Sequence, residues 1–275
     1  MKILCLGASF TGTFLASNFA NDNTIKFLTR QPCLVKSLGF DVINSTLTDE
    51  IGTFELILDT IPPVFDTLGK LSHPYRSIID SLMSSNPKIV YLHISSTSIY
   101  PSNFSSSEHD ELPIIDEDTP ANPDTKRGEV RLKLEDNIVN RYDTARIIRA
   151  GGIYGPNRSL INRFIDGNFS RLRADNKMVS RIHVMDLCRI ILSFGKIHAG
   201  VRTIIVNGVD RLPSSNQETF AYIQKVTGIP IPVSVNQDTV IGRKITSKHA
   251  MALLSNKYLF PTFREGFLDC INDKD

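Results

Sequence analysis

The chain opens with a short apolar run, a glycine-bearing turn and a helically spaced segment, and this opening constrains the fold more than any other feature. Lys2–Leu6 is apolar and ends at a glycine, so it reads as a buried strand. Phe10–Asn21 repeats apolar residues at helical spacing and reads as a helix. The turn between them is Gly7-Ala8-Ser9-Phe10-Thr11-Gly12. Gly7 permits a tight turn after the strand, and Gly12 lets the helix lie close to it. A small residue at Ser9 still lets backbone N–H groups approach a pyrophosphate, and a helix starting near Phe10 aims its positive end there. The spacing Gly7-x-Ser9-x-x-Gly12 is therefore a dinucleotide fingerprint with its middle glycine replaced by serine. A strand before it and a helix after it distinguish it from a chance glycine pattern; the competing reading is a structural turn in an α/β protein without a nucleotide. Gly7, Ser9, Phe10, Thr11 and Gly12 are the candidate residues for holding the cofactor.

The end of the next strand, Thr24–Leu28, bears on which dinucleotide is bound. NAD-specific sites place Asp or Glu there to hold the ribose 2′-hydroxyl. This chain has Thr29 and then Arg30. No carboxylate repels a 2′-phosphate, and a guanidinium can grip one. A charge-assisted hydrogen bond of this kind predicts a roughly tenfold to hundredfold preference for NADP(H) over NAD(H). The alternative is that Arg30 is a solvated surface residue.

Strand and helix go on alternating. A helix is read over Gln31–Leu38, a strand over Phe40–Ile43 and another over Glu55–Leu58. Tyr75–Ser84 reads as a helix, Lys88–Ile94 as a strongly apolar strand, Thr125–Tyr142 as a long helix and Ala145–Arg149 as a sixth strand. This alternation predicts an α/β, Rossmann-type doubly wound parallel sheet covered by helices on both faces. Beyond Gly151 the chain becomes richer in Gly and Pro. Leu160–Arg171 reads as a helix, Ser180–Val184 leads into a helix at Asp186–Phe194, and Arg202–Asn207 is one more strand. The expected division is a dinucleotide-binding domain of residues 1–150 and 178–207, with a smaller substrate-binding cap of residues 151–177 and 208–275. The long connection Pro101–Asp124 is rich in Ser, Pro and acidic residues, and loops of that length inside a domain are usually functional.

With a net charge of +2 there is no strong field for nucleic acid or acidic membranes, and no basic block interleaved with aromatics occurs. The expected partner is a small-molecule substrate. The apolar start after Met1-Lys2 has the look of a secretory signal, but Gly7, Ser9, Thr11 and Gly12 interrupt it. No run of 18 apolar residues is present, so the expectation is a cytoplasmic protein without membrane insertion. Cys5, Cys33, Cys188 and Cys270 are scattered with no Cys-x-x-Cys pair, and three of them read as core.

Four further segments carry a family resemblance. Ser95-Ser96-Thr97-Ser98-Ile99-Tyr100-Pro101 resembles the Ser-Ser-x-x-Val-Tyr-Gly segment of the extended short-chain dehydrogenases, the nucleotide-sugar epimerases and dehydratases. Asp116-Glu117-Asp118-Thr119-Pro120-Ala121-Asn122-Pro123 is similar to their Asp-Glu-x-x-Pro-x-x-Pro loop. Gly152-Ile153-Tyr154-Gly155-Pro156 and Arg181-Ile182-His183-Val184-Met185-Asp186 resemble two later segments, in family order. The resemblance implies that Ser96 polarises a substrate carbonyl. It also implies a Tyr-x-x-x-Lys pair, but alignment through Gly128 puts Arg127 and Arg131 at those positions. Arg131 can still supply positive charge near the nicotinamide ribose. Arg127 cannot readily donate a proton, and loss of a general acid costs roughly 10²–10⁴ in rate. The Arg127-Gly128 pair, the serine-bearing turn and the short length resemble an atypical branch of NAD-dependent epimerases/dehydratases that lacks the usual Tyr and Lys. A homodimer through the Thr125–Tyr142 helix is a further implication of the resemblance.

Tyr154 and Tyr100 are the alternative acids, each read more readily as structural, and Tyr154 is kept with Ser96 as a catalytic candidate. His183 and Asp186 are too few for a metal site, and Asp186 reads as the cap of the following helix. His93 reads as a satisfied core histidine, and the acidic loop from Glu108 to Asp118 as a solvated lid. Two functions follow. One is an NAD(P)-dependent epimerase/dehydratase-like oxidoreductase acting on a carbonyl or sugar-nucleotide-type small molecule. The other is a non-catalytic NADP(H)-binding sensor or assembly protein.

Overall fold

The computed structural model describes residues 1–43, 53–106, 111–142, 144–168, 175–197, 204–230 and 239–272. Seven strands form the main sheet: β1 (Lys2–Leu6), β2 (Thr24–Leu28), β3 (Asp41–Val42), β4 (Leu56–Asp59), β5 (Val90–Ser96), β6 (Arg146–Ala150) and β7 (Ile204–Gly208). Their spatial order is β7-β6-β5-β4-β1-β2-β3. The sheet is parallel and flanked by helices, an α/β Rossmann-type fold as the alternation predicts. The strands are continuous apolar runs because both faces are covered. Ile3 to Leu6 and Leu56 to Leu58 are fully buried.

The chain divides into two compact units. The first comprises Met1–Ser96, Lys126–Arg149 and Cys188–Val206, and the second Thr97–Thr125, Ala150–Leu187 and Asn207–Asp275. In the first unit, α1 (Phe10–Phe19) follows β1, and α2 (Pro32–Ser37) follows β2 with Pro32 in its first turn. Next come α3 (Arg76–Ser85) and α4 (Lys126–Arg141). Ile57, Tyr91, Ile79, Leu82, Leu134 and Ile138 pack these two helices onto the sheet in one apolar cluster.

The second unit is held by short strand pairs. Gly152–Tyr154 runs parallel to Arg181–His183, Met178–Val179 pairs with Ser214–Ser215, Ser105–Ser106 with Val240–Ile241, and Ile114–Ile115 with Lys244–Ile245. Segment 97–125 is thereby tied to residues 240–245, which is why it clusters with the carboxy-terminal part of the chain. The helices here are α5 (Leu160–Ile165), the first turn of α6 (Val184–Lys196), α7 (Asn216–Thr227), α8 (Ala250–Leu253) and α9 (Phe263–Asn272). Tyr154, Ile161, Phe164, Phe220, Phe263 and Phe267 form its core.

Helix α5 is shorter than the expected Leu160–Arg171. It stops at Ile165, and Gly167 turns the chain through a left-handed conformation at φ +72°. Residues 169–171 of that expected helix and 202–203 of the seventh strand lie outside the described residues.

Candidate dinucleotide site

The strand order reverses between β1 and β4, and in doubly wound sheets ligands bind at the carboxyl ends of the strands flanking such a reversal. A cleft of about 500 Å³ opens there, lined by Gly7, Ser9, Thr29, Arg30, Thr60, Ile61 and Tyr75 among others. Gly7 adopts φ +86°, and a Cβ on it would lie 3.2 Å from Ile61 Cγ1. The turn therefore needs glycine for its backbone and for its closeness to the residues after β4. Ser9 caps α1: its Oγ accepts the Gly12 N–H at 3.1 Å. That explains the serine in place of the middle glycine, since the side chain satisfies a helix-end donor while staying small. Of the other candidates for this turn, Phe10 and Thr11 open α1, and Gly12 brings it against Phe27 of β2, where a Cβ would stand 3.4 Å from the ring.

At the end of β2 the Thr29 hydroxyl accepts the Gln31 N–H at 3.0 Å. Arg30 is exposed and forms no ion pair or hydrogen bond with a described residue. Among the described residues, no carboxylate lines the cleft. A cradle that a single Cβ would crowd, a helix amino end and a guanidinium unpaired among the described residues together fit a dinucleotide.

Sequence reasoning missed the group beneath this cleft. Asp59, the last residue of β4, is fully buried. Its Oδ2 accepts the Tyr91 hydroxyl at 2.6 Å and faces His93 Nδ1 at 3.0 Å and His73 Nε2 at 3.3 Å. Its Oδ1 accepts the Ile61 N–H at 3.0 Å. Burial alone would raise the Asp59 pKa, but His93 and His73 hold it well below the usual carboxylate range. His93 is thus a satisfied core histidine, as read from its strand. The available signal was a carboxylate ending an otherwise apolar strand, Leu56-Ile57-Leu58-Asp59.

Ser96 closes β5 and is half-buried. Its neighbour Ser95 donates to Glu135 on α4, and Glu135 is paired with Arg149 at 2.8 Å, all three buried. Arg131 stands one turn before Glu135 on α4, half-buried, and α4 packs against β5. Burial, with Arg127 adding to it, lowers the Arg131 pKa. Arg127 itself is exposed.

Tyr154 belongs to the second unit. It is buried edge-on against His183 and Phe267, and its hydroxyl lies 3.4 Å from the Thr262 carbonyl. Burial, then Asp210, raises its pKa well above 10. Tyr100 is fully buried and donates to Asn207 Oδ1 at 3.0 Å. Tyr154 also edges a cleft of about 460 Å³ whose lining includes Asn157, Arg158, Asn162, Arg163 and Arg181.

Two smaller expectations need correction. Asp186 is not the helix cap: it lies in the first turn of α6 and accepts the Leu259 and Phe260 N–H groups at 3.0 and 2.8 Å. The described end of the acidic loop is not a solvated lid. Glu117 accepts from Asn207 N, Ser247 Oγ and Lys248 N, and Lys248 pairs with Asp116 and Asp118. Residues 108–110 of that loop lie outside the described residues.

No protein-family model matches the chain, and no curated protein matches it significantly. Solved structures do. A conserved protein of unknown function from Silicibacter pomeroyi superposes with a TM-score of 0.76 at 20% identity, covering 99% of this chain and 98% of that one. The ADP-L-glycero-D-manno-heptose-6-epimerase of Helicobacter pylori gives 0.72 at 14%, covering 99% and 95%. The dTDP-glucose 4,6-dehydratase of Bacillus anthracis, solved with NAD, gives 0.72 at 16%, covering 99% and 96%. The chain has the fold of the NAD-dependent epimerase/dehydratase structures. Among the described residues, no helix is long and apolar enough to cross a membrane.

Proposed function

We propose that the chain is an NADP(H)-dependent oxidoreductase of the epimerase/dehydratase type, acting on a small carbonyl or sugar-nucleotide-type substrate in the cytoplasm. The observation that carries this reading is the cleft at the β1/β4 reversal, with Gly7 and Ser9 at one helix end and Arg30 unpaired. The bound nicotinamide would exchange hydride with the substrate. This chain's own residues would hold the cofactor phosphates (Gly7, Ser9, Phe10, Thr11, Gly12), grip the 2′-phosphate (Arg30, beside Thr29), place positive charge near the ribose (Arg131) and hold the substrate oxygen (Ser96). The Tyr154 hydroxyl is buried, so a proton donated by water fits the chemistry better than one from this side chain. A homodimer through α4 is the proposed assembly.

Ser96→Ala tests the catalytic part. It should lower turnover by about 10²-fold while leaving the NADPH Kd within about twofold. Unchanged turnover would remove Ser96 from the mechanism. The second reading is a non-catalytic NADP(H)-binding sensor or assembly protein. It is favoured by Arg127 and Arg131 standing at the Tyr and Lys positions of the resembling family. A protein that binds NADPH tightly but turns over none of a broad panel of carbonyl and sugar-nucleotide substrates would support it.

A further inference from the structure

One wall of the dinucleotide cleft comes from Tyr75, which follows His73-Pro74 and had no role in the site as read from the sequence. Tyr75 lines the cleft with Arg30, Ile61 and Pro62. Its ring is partly buried against the core of the first unit, and its hydroxyl makes no hydrogen bond to a described residue. Arg30 is close enough to act on Tyr75 electrostatically. The cleft thus holds an aromatic side chain and, beside it, a guanidinium unpaired among the described residues, with aliphatic surface from Ile61 and Pro62. That is the chemistry of a purine bearing a neighbouring phosphate.

Tyr75 is also held in place. His73 Nδ1 accepts the Tyr75 N–H at 3.2 Å, so this nitrogen carries no proton. The proton then sits on Nε2, which faces Asp59 Oδ2 at 3.3 Å. The same carboxylate accepts the Ile61 N–H. Ile61 is thus hydrogen-bonded to the buried carboxylate directly, and Tyr75 reaches it through His73, whose Nε2 stands beside Oδ2 without a formed hydrogen bond; Tyr91 and His93 hold the carboxylate from within the sheet.

We propose that Tyr75 stacks on the adenine of NADP(H) beside Arg30, which takes the 2′-phosphate, and that His73 is the positioning residue that links Tyr75 to Asp59. This rests on the NADP(H) reading above. The simpler role for Tyr75 is to cover the core, and a leucine would do that equally well without offering a π-face.

The test is equilibrium binding of NADPH, adenosine 2′,5′-bisphosphate and reduced nicotinamide mononucleotide, which has no adenine, to wild type, Tyr75→Phe and Tyr75→Leu. Tyr75→Phe should stay within about twofold of wild type for all three. Tyr75→Leu should weaken NADPH and the bisphosphate by about tenfold or more and leave the mononucleotide unchanged. His73→Ala should weaken the bisphosphate in the wild-type background and add nothing in Tyr75→Leu, because it acts through Tyr75. A purely structural His73 would affect both backgrounds alike. If wild type binds NADPH but Tyr75→Leu binds the bisphosphate equally well, the stacking role is wrong and the cofactor reading survives. If wild type binds neither NADPH nor the bisphosphate, the cofactor reading fails and the stacking role with it.

Discussion

Single residues in the phosphate turn do two jobs each, and their substitutions separate those jobs. Ser9 is both a small residue in the cleft and the cap of α1. Replacing it with alanine should cost about 1 kcal/mol in chemical denaturation, and replacing it with glycine only a few tenths, since glycine is tolerated at a cap. An alanine variant as stable as wild type would show that the cap contributes nothing. Asp59 is the strongest single determinant beneath the site. Asp59→Asn replaces the acceptor of the Tyr91 hydroxyl and the His93 ring with an amide and should destabilise by about 1–3 kcal/mol at neutral pH. The folded-state pKa of Asp59 is depressed, so its stabilisation is present above the unfolded carboxylate value and is lost as pH falls below it. Wild type should therefore lose its advantage over Asp59→Asn in acid. A difference that stays constant from neutral pH to about pH 3 would contradict the ionised assignment.

At the scale of elements, the parallel strands were legible because each is an unbroken apolar run, a pattern that burial on both faces demands. Boundaries moved by a residue at helix ends, where the pattern is weakest: α4 spans Lys126–Arg141 against an expected Thr125–Tyr142. The two-residue strands of the second unit were not legible, since two residues carry no alternation to read. The acidic loop was misread because its partners Ser247 and Lys248 lie some 130 residues further along the chain, beyond any local pattern. Gly7, Ser9, Thr29 and Arg30 could be read as a site because they follow two strand ends directly. Tyr75 and His73 could not, because Tyr75 reads only as the start of the Tyr75–Ser84 helix and His73 precedes it in a connection with no periodicity of its own.

For the molecule as a whole, the two units carry opposing pH dependences. Asp59 in the first favours the folded state as pH rises out of the acid range. Asp210 in the second is buried, its Oδ2 has no hydrogen-bond partner among the described residues, and burial pushes its pKa up to about 8. Its folded-state value lies above the unfolded one, so the native protein holds a proton the unfolded chain has released, and stability falls as pH rises from about 4 to about 8. Asp210→Asn removes that penalty. The variant should match wild type near pH 4 and exceed it progressively toward pH 8 in thermal denaturation. A constant offset across this range would show that Asp210 is ionised throughout.

Whether the cleft at the β1/β4 reversal binds NADP(H) through Arg30 is measured by a parallel titration with NADPH and NADH. Cofactor fluorescence would give the two dissociation constants, and thermal stabilisation would check them independently, with a hundredfold excess over Kd adding about 2.7 kcal/mol. NADPH should bind roughly tenfold to hundredfold tighter than NADH, with the difference abolished in Arg30→Ala. Equal affinities that Arg30→Ala leaves unchanged would contradict the 2′-phosphate assignment, and binding of neither nucleotide would contradict the site itself.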